Sequence, residues 1–470
     1  MKLVPLLLGS AAVIISAAAV QAADLPLRNA APVAYVKVCD AYGAGFFYIP
    51  GTDTCIKMGG RVRADYGFSA PQDVFTGTAA FDASSGTRID TLGTSSDAVN
   101  AYGWHVRGRV DLDARTPTAW GTVQTVLALR LSRQSGIYAA VGPGLASSSA
   151  SPTLEAAYIR FAGFTFGAAR DNFSFMPSTF YGAGHWSSFA NGAKQLAYTA
   201  VLGGGLSFTV ALQDATDTTA GGVVAAGLAP GDVTYSYNNL PQLNGRVDFS
   251  QGWGSASVMG AVGKAVGVNP SAVYDTDKTV WAVGAGLKIN LPMLAKGDAL
   301  WLNAAYAEGM TEYTTNWSSF KSSDVRRNVG GYVTNHPSWV YTSDAFGNPR
   351  IETLKSWNVA AVFTHYWAPA WRHSFLATYG QIDGTDSSRA LVRGAGGAFG
   401  DATVWNVGTQ LAWLPTRNFE IGVEVLYARV EQDIRRLVTV AGPGFAVGDT
   451  IVTGEQEGNF TGRLRVQRTF

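Results

Sequence analysis

Past its first 22 residues, this chain contains no apolar run near the roughly 20 residues that a helix needs to cross a bilayer. A helical membrane protein is therefore excluded. Charge is sparse as well: Asp, Glu, Lys and Arg together make up 15% of the residues, and 35 basic side chains meet 34 acidic ones. Without a basic surplus, a nucleic-acid partner is not expected. The five histidines, His105, His185, His336, His365 and His373, are scattered along the chain. Neither Gly-x-Ser-x-Gly nor His-Glu-x-x-His occurs, so no catalytic constellation, metal site or cofactor is indicated. Nor does any Pro/Ser-rich linker or charge run divide the chain into separate domains.

Cysteine is nearly absent, with only Cys39 and Cys55. The chain opens Met1-Lys2 and then runs apolar from Leu3 to Val20 before Gln21-Ala22, the pattern of a secretory signal peptide over residues 1–22. Export places the two thiols in an oxidising compartment, and no histidine or second cysteine pair lies near them, so a Cys39–Cys55 disulfide is expected. Residues 23–56 then form an N-terminal periplasmic segment closed by that disulfide, ahead of the main body over 57–470.

What the chain has in quantity is glycine, at 55 residues, and aromatics, at 12%. Both suit many turns and amphipathic strands. In Arg61-Val62-Arg63-Ala64-Asp65-Tyr66-Gly67-Phe68, the apolar residues Val62, Ala64, Tyr66 and Phe68 alternate with Arg61, Arg63 and Asp65. Trp104 to Asp113 repeats this period of two, with Val106, Val110 and Leu112 against His105, Arg107, Arg109 and Asp111. The final stretch, Phe460 to Phe470, does the same and stops on an aromatic residue, as expected for a strand ending at a membrane interface.

Periodicity alone does not separate a soluble sandwich from a transmembrane barrel, because both need one apolar face. Connection lengths do. Seventeen two-periodic segments can be marked, and the weakest, 232–238, breaks an otherwise regular order. Without it, short connections fall at Thr116–Thr118, Ala162-Gly163, Gly203-Gly204, Gln251–Trp253, Leu291–Gly297, Ala368–Ala370 and Pro415–Arg417. Long ones fall between them, at 69–100, 133–152, 171–191, 214–242, 265–278, 310–354, 382–402 and 431–458. Strict alternation has no purpose in a soluble sheet. It predicts an all-β, 16-stranded antiparallel transmembrane barrel with both chain ends on the short-turn side.

A barrel of this size is too wide for side chains to fill and must be narrowed from within. The third long connection, beginning Arg170-Asp171-Asn172-Phe173-Ser174-Phe175-Met176-Pro177, is rich in aromatics for a solvated loop. It is expected to fold back into the lumen. Lumen-side Arg61, Arg63, Arg107, Arg109, Arg130 and Arg160 would face it, with Asp171 as an opposing acid, forming a pore constriction. The aromatic stretches Tyr313–Trp317 and Trp339–Phe346 suit either sugar binding or subunit contacts. Gly284-Ala285-Gly286 lies within a strand pattern and lacks the strand-turn-helix setting of a nucleotide site.

At Val36–Gly43, Cys55–Arg63, Gln251–Ala256 and Arg463–Phe470, the sequence resembles the alphaproteobacterial general porin family. The resemblance spans the chain past residue 22 and is most specific over Cys39–Arg63. It implies a homotrimer in the Gram-negative outer membrane, whose third loop enters a water-filled channel for passive diffusion of small hydrophilic solutes and ions. Outer-membrane lipid is then the surrounding partner. Phe470 is the barrel-end signal, although Arg468 stands where the family usually has an apolar or aromatic residue. The competing readings are a substrate-selective channel, for sugars for example, and a barrel enzyme.

Overall fold

The computed structural model describes residues 37–69, 74–76, 79–82, 87–90, 93–95, 102–138, 148–177, 179–181, 192–214, 222–224, 234–235, 240–268, 275–315, 338–343, 348–389, 398–440, 448–453 and 457–470. The stretch assigned to the signal peptide lies outside them. Sixteen long strands form one closed antiparallel barrel. They are β1 (Cys55–Ser69), β2 (Tyr102–Thr118), β3 (Gly121–Ser135), β4 (Ser148–Phe161), β5 (Phe164–Ala169) and β6 (Ala193–Gly203). The wall continues through β7 (Leu206–Gln213), β8 (Gln242–Gln251), β9 (Gly254–Val268), β10 (Asp275–Asn290) and β11 (Ala299–Glu308). It is completed by β12 (Lys355–Ala368), β13 (Trp371–Asp383), β14 (Ala398–Thr416), β15 (Phe419–Val440) and β16 (Glu457–Thr469).

Closure comes from β1 against β16, in a register running from Arg61 opposite Thr469 to Ser69 opposite Thr461. The backbone of the last residue joins in, with Phe470 N–H donating to the Gly60 carbonyl and Gly60 N–H to the Phe470 carbonyl, each at 3.0 Å. A Cβ at Gly60 would lie 2.6 Å from the Phe470 ring, so this position accepts only glycine without displacing that ring. Pairing both edges matters because an unpaired amide facing hydrocarbon costs several kcal/mol.

The turns depart slightly from the sequence expectation. Strand β2 continues through Pro117, which pairs across Thr122, so its turn is Ala119-Trp120 and not Thr116–Thr118. Between β6 and β7, the turn is Gly204-Gly205, both at positive φ (59° and 84°), a backbone that favours glycine. Among the described residues of the excluded segment 232–238, Thr234–Tyr235 make a two-residue pairing with Gly267–Val268 at the end of β9. Cys39 and Cys55 are disulfide-bonded, with Cα atoms 6.1 Å apart, at the very start of β1.

The outer face is apolar and exposed, with Val62, Val110, Leu131, Val258, Val359 and Val423 each at least 45% accessible. Aromatics band this face at two levels. At the short-turn ends stand Trp120, Trp253, Trp367, Trp371 and Trp413, all exposed. Toward the other end, rings on neighbouring strands touch in sequence, including Tyr66–Trp104 at 5.1 Å, Trp281–Tyr306 at 5.3 Å, Trp357–Tyr379 at 5.4 Å and Tyr427–Phe460 at 4.7 Å. Two girdles around an aliphatic band are what a barrel in lipid requires, since aromatic rings favour the headgroup level.

Candidate functional site

The inward parity of β1, β2, β3 and β16 carries the charges that the alternation assigns to it. Registers across β1 and β2 set Arg61 opposite Arg109 and Arg63 opposite Arg107. On the other side of β1, Asp65 stands opposite Arg465 and Arg63 opposite Gln467. Arg465 grips fully buried Asp65 with two hydrogen bonds, Nε to Oδ1 at 2.6 Å and Nη2 to Oδ2 at 2.9 Å. Arg109 reaches Glu155 at 3.2 Å, and Arg130 reaches the same carboxylate at 3.5 Å. Glu155 is aimed inward by a bulge between β3 and β4, where Ala128 pairs Ala156 but Leu129 pairs Leu154.

The inward side of β9–β15 differs. Met259, Ala282, Ala305, Val362, Leu376, Val404 and Leu426 are apolar and buried. What covers them is the segment that leaves β5. Asp171 is buried and accepts from its own segment, from Phe173 N–H at 2.7 Å and Ser174 Oγ at 2.5 Å. It lies past the end of β5, and burial pushes its carboxyl up to about 6, against the opposing effect of those two hydrogen bonds. Asn172 donates to Gln195 of β6 at 2.6 Å, and Arg246 of β8 donates to the Ser174 carbonyl at 2.8 Å.

Beyond Ser174 the rings find seats prepared for them. Phe173 packs over Gly284 and Phe175 over Gly286, where a Cβ would come within 2.9 Å and 2.2 Å of the respective rings. Those are the two glycines of the Gly284-Ala285-Gly286 run. Phe173 also meets Tyr313 edge-on at 4.6 Å. Met176 and Phe180 join the buried cluster of β12–β15. Tyr181 closes the path, its N–H donating to Glu424 at 2.5 Å and its hydroxyl to Glu420, while Arg463 donates to its carbonyl. The Arg465 guanidinium sits 4.1 Å from the Tyr181 ring centroid, a cation–π contact.

Between this segment and the arginine wall is a cavity of about 730 Å³. Arg61, Arg63, Arg107 and Arg109 line one side, with Arg372 and Arg465; Phe175, Met176, Pro177, Phe180 and Tyr181 line the other. Of the arginines expected from sequence, these four are brought together. Arg130 stands behind them, bonded to Glu155. Arg160 is apart: it pairs with Gln124, six positions along β3 from Arg130, and packs on Tyr158 at 4.7 Å. Asp171 faces its own backbone and does not oppose the arginines.

Arg372, Arg465 and Glu420 were not singled out by sequence reasoning, because their place depends on β13, β15 and β16 curving back to β1. One signal was available: β12 carries apolar residues on both parities (Val359, Ala361 and Phe363; Ala360 and Val362), which a wall facing open water would not. Of the aromatic stretches that could suit sugars, Trp317 and Phe346 lie outside the described residues, and the described rings are committed elsewhere. Tyr313, Trp339 and Tyr341 are at most 2% exposed, and Tyr313 donates to Gln242 of β8 at 2.9 Å.

A family model described as the porin subfamily matches residues 24–450. The chain belongs to the porin family. This porin is 28% identical over 318 residues to Porin Omp2b of Brucella canis, an overlap covering 66% of this chain and 75% of that relative. Porin Omp2b of Brucella melitensis matches with the same identity and coverage. Among solved structures, the outer membrane channel DcaP of Acinetobacter baumannii shares the fold, with a TM-score of 0.56 at 18% identity over 89% of this chain and 97% of that one. Together with the closed barrel and its two girdles, the family places this porin in the Gram-negative outer membrane as a channel for passive diffusion of small hydrophilic solutes and ions.

Proposed function

We propose that solutes cross this porin through the gap between the arginine wall of β16, β1 and β2 and the segment Asp171–Tyr181, acting as a third extracellular loop folded into the lumen. The observation that carries this reading is the cavity of about 730 Å³ that lies between those two surfaces, with Glu155, Arg170, Trp301, Arg372 and Glu420 completing its lining. Arg61, Arg63, Arg107 and Arg109 form the charged edge of the constriction, with Arg372 and Arg465. Arg130 braces Glu155 from behind, and Arg160 and Asp171 take no part in the lining. Residues 1–22 direct export, 23–56 remain on the periplasmic side, and the barrel works as a homotrimer with a purely conductive, non-catalytic role. The channel passes small solutes by size and charge, and the described rings of the aromatic stretches, Tyr313, Trp339 and Tyr341, are buried away from a passing solute.

Single-channel recording of the refolded protein in a planar bilayer tests this. Conductance steps grouped in threes, with larger steps when Phe180 and Tyr181 are both replaced by alanine, are expected. A barrel that folds, as judged by heat-dependent gel mobility, but conducts nothing would rule it out.

A further inference from the structure

Seven arginines line the cavity; Arg170, just past the end of β5, is exposed, and the other six fall into two groups. Arg465, Arg109 and Arg372 each have a carboxylate partner, Asp65 at 2.6 Å, Glu155 at 3.2 Å and Glu420 at 3.1 Å. Arg61, Arg63 and Arg107 have none within ion-pair distance among the described residues. The nearest to an anionic contact is Arg63, whose Nε donates to the neutral Gln467 amide oxygen at 3.0 Å. The Nε atoms of Arg61 and Arg107 are buried without a hydrogen-bond partner.

These three are also held close together. The register places Arg63 directly opposite Arg107 and Arg61 opposite Arg109 on adjacent strands. Like charges directly opposed in a sheet destabilise it, and buried donors left unpaired add to that cost. The two carboxylates that line the cavity, Glu155 and Glu420, are already engaged by Arg109 and Arg372. Across the opening, Phe175, Met176, Pro177 and Phe180 offer no negative charge. The one acid of that segment, Asp171, is bonded to its own backbone and Ser174. One wall is therefore cationic with spare donors, and the facing wall is largely apolar.

The geometry points to a binding site for a small oxyanion, a carboxylate or a phosphate, held by Arg61, Arg63 and Arg107 in the constriction. A guanidinium presents paired N–H donors that match two oxygens of such a group. The cavity is of the size that takes a small organic molecule. An organic carboxylate would turn its apolar body to Phe175, Met176 and Phe180, whereas inorganic phosphate would use the arginines alone. The assignment deepens the constriction reading above and rests on it.

Two measurements on the refolded full-length protein test the site. The first is block of the potassium chloride current in a planar bilayer by sodium benzoate or inorganic phosphate. The second is equilibrium dialysis with radiolabelled forms of the same two probes, which does not depend on conduction. Saturable block and saturable binding by at least one probe are expected. Arg63→Gln and Arg107→Gln should each raise the half-saturating concentration by about tenfold, the loss of one charge-assisted bond. Arg160→Gln, outside the cavity, should leave it unchanged.

Tighter binding of benzoate identifies an organic carboxylate as the ligand, and tighter binding of phosphate identifies the inorganic ion. Absence of saturable binding by either, in protein whose heat-dependent gel mobility shows a folded barrel, overturns the site. Binding without any channel current would leave the site standing and overturn the conducting constriction instead. If either glutamine variant fails to fold, Arg61→Lys, which keeps the charge and loses the fork, is expected to weaken binding, and unaltered binding would count against the assignment.

Discussion

The Arg465 guanidinium does two things at once: it holds Asp65 with a pair of hydrogen bonds across β16 and β1, and it lies 4.1 Å from the ring centroid of Tyr181. The seam that closes the barrel and the segment after β5 thus share one side chain. Removing either partner of a buried pair leaves the other charge uncompensated, at a cost of about 3–5 kcal/mol. Arg465→Ala should therefore lower barrel stability by that order in urea unfolding and also loosen Tyr181, raising open-channel current noise. Asp65→Asn should lower stability with little change in noise, because the ring contact survives.

At Gly286 the segment lies close against the wall. A Cβ there would lie 2.2 Å from the Phe175 ring, so Gly286→Ala should push the segment toward the arginines and reduce single-channel conductance. Shortening the ring in Gly286→Ala with Phe175→Ala should restore it. Reduced conductance in the double variant equal to that of the single one would contradict the seating described.

Tyr313 supports Phe173 from above, and its hydroxyl donates to Gln242 at 2.9 Å. Tyr313→Phe keeps the ring and leaves the Gln242 oxygen without this donor, so a loss of about 1–3 kcal/mol is expected. Urea unfolding reads the stability, and hydrogen exchange over 172–176 should rise if Phe173 loses its support.

Asp171 supplies a pH dependence. Burial raises its folded carboxyl to about 6 from an ordinary 3.8. A carboxyl whose folded value is raised favours the folded segment most when protonated. That contribution is complete below about 3.8 and is lost as pH rises through about 6. Channel noise should accordingly increase from pH 4 to pH 7 in the wild type. Asp171→Asn, which does not titrate, should flatten that change; an unchanged slope would remove Asp171 from the account.

The disulfide offers a last test. Cys39 and Cys55 are 16 residues apart, and closing a loop of that size contributes about 3 kcal/mol. Reduction should lower stability by that order yet leave conductance unchanged, because β1 is paired with β2 and β16 independently of the bond.

Much of this porin was legible one residue at a time. A side-chain period of two states which face of each strand is charged, so Arg61, Arg63, Arg107 and Arg109 could be placed inside from the alternation alone. The order of short and long connections determines strand count and topology, because an antiparallel barrel has no other way to run. Which residues meet was decided by closure and by the segment after β5. Arg465 and Glu420 line the cavity beside Arg61 and Arg63 because β15 and β16 return to β1, and the Arg465–Asp65 contact spans 400 residues of sequence that no local period encodes. Arg160 shared the pattern of its neighbours but not their level on the wall, since the register and bulge of β3 and β4 set height along the barrel axis. Asp171 has the charge for an opposing acid, yet it bonds Phe173 and Ser174 of its own segment. The glycines at 284 and 286 show the same division: sequence gives their lack of a side chain, and only the packed segment explains the space it leaves.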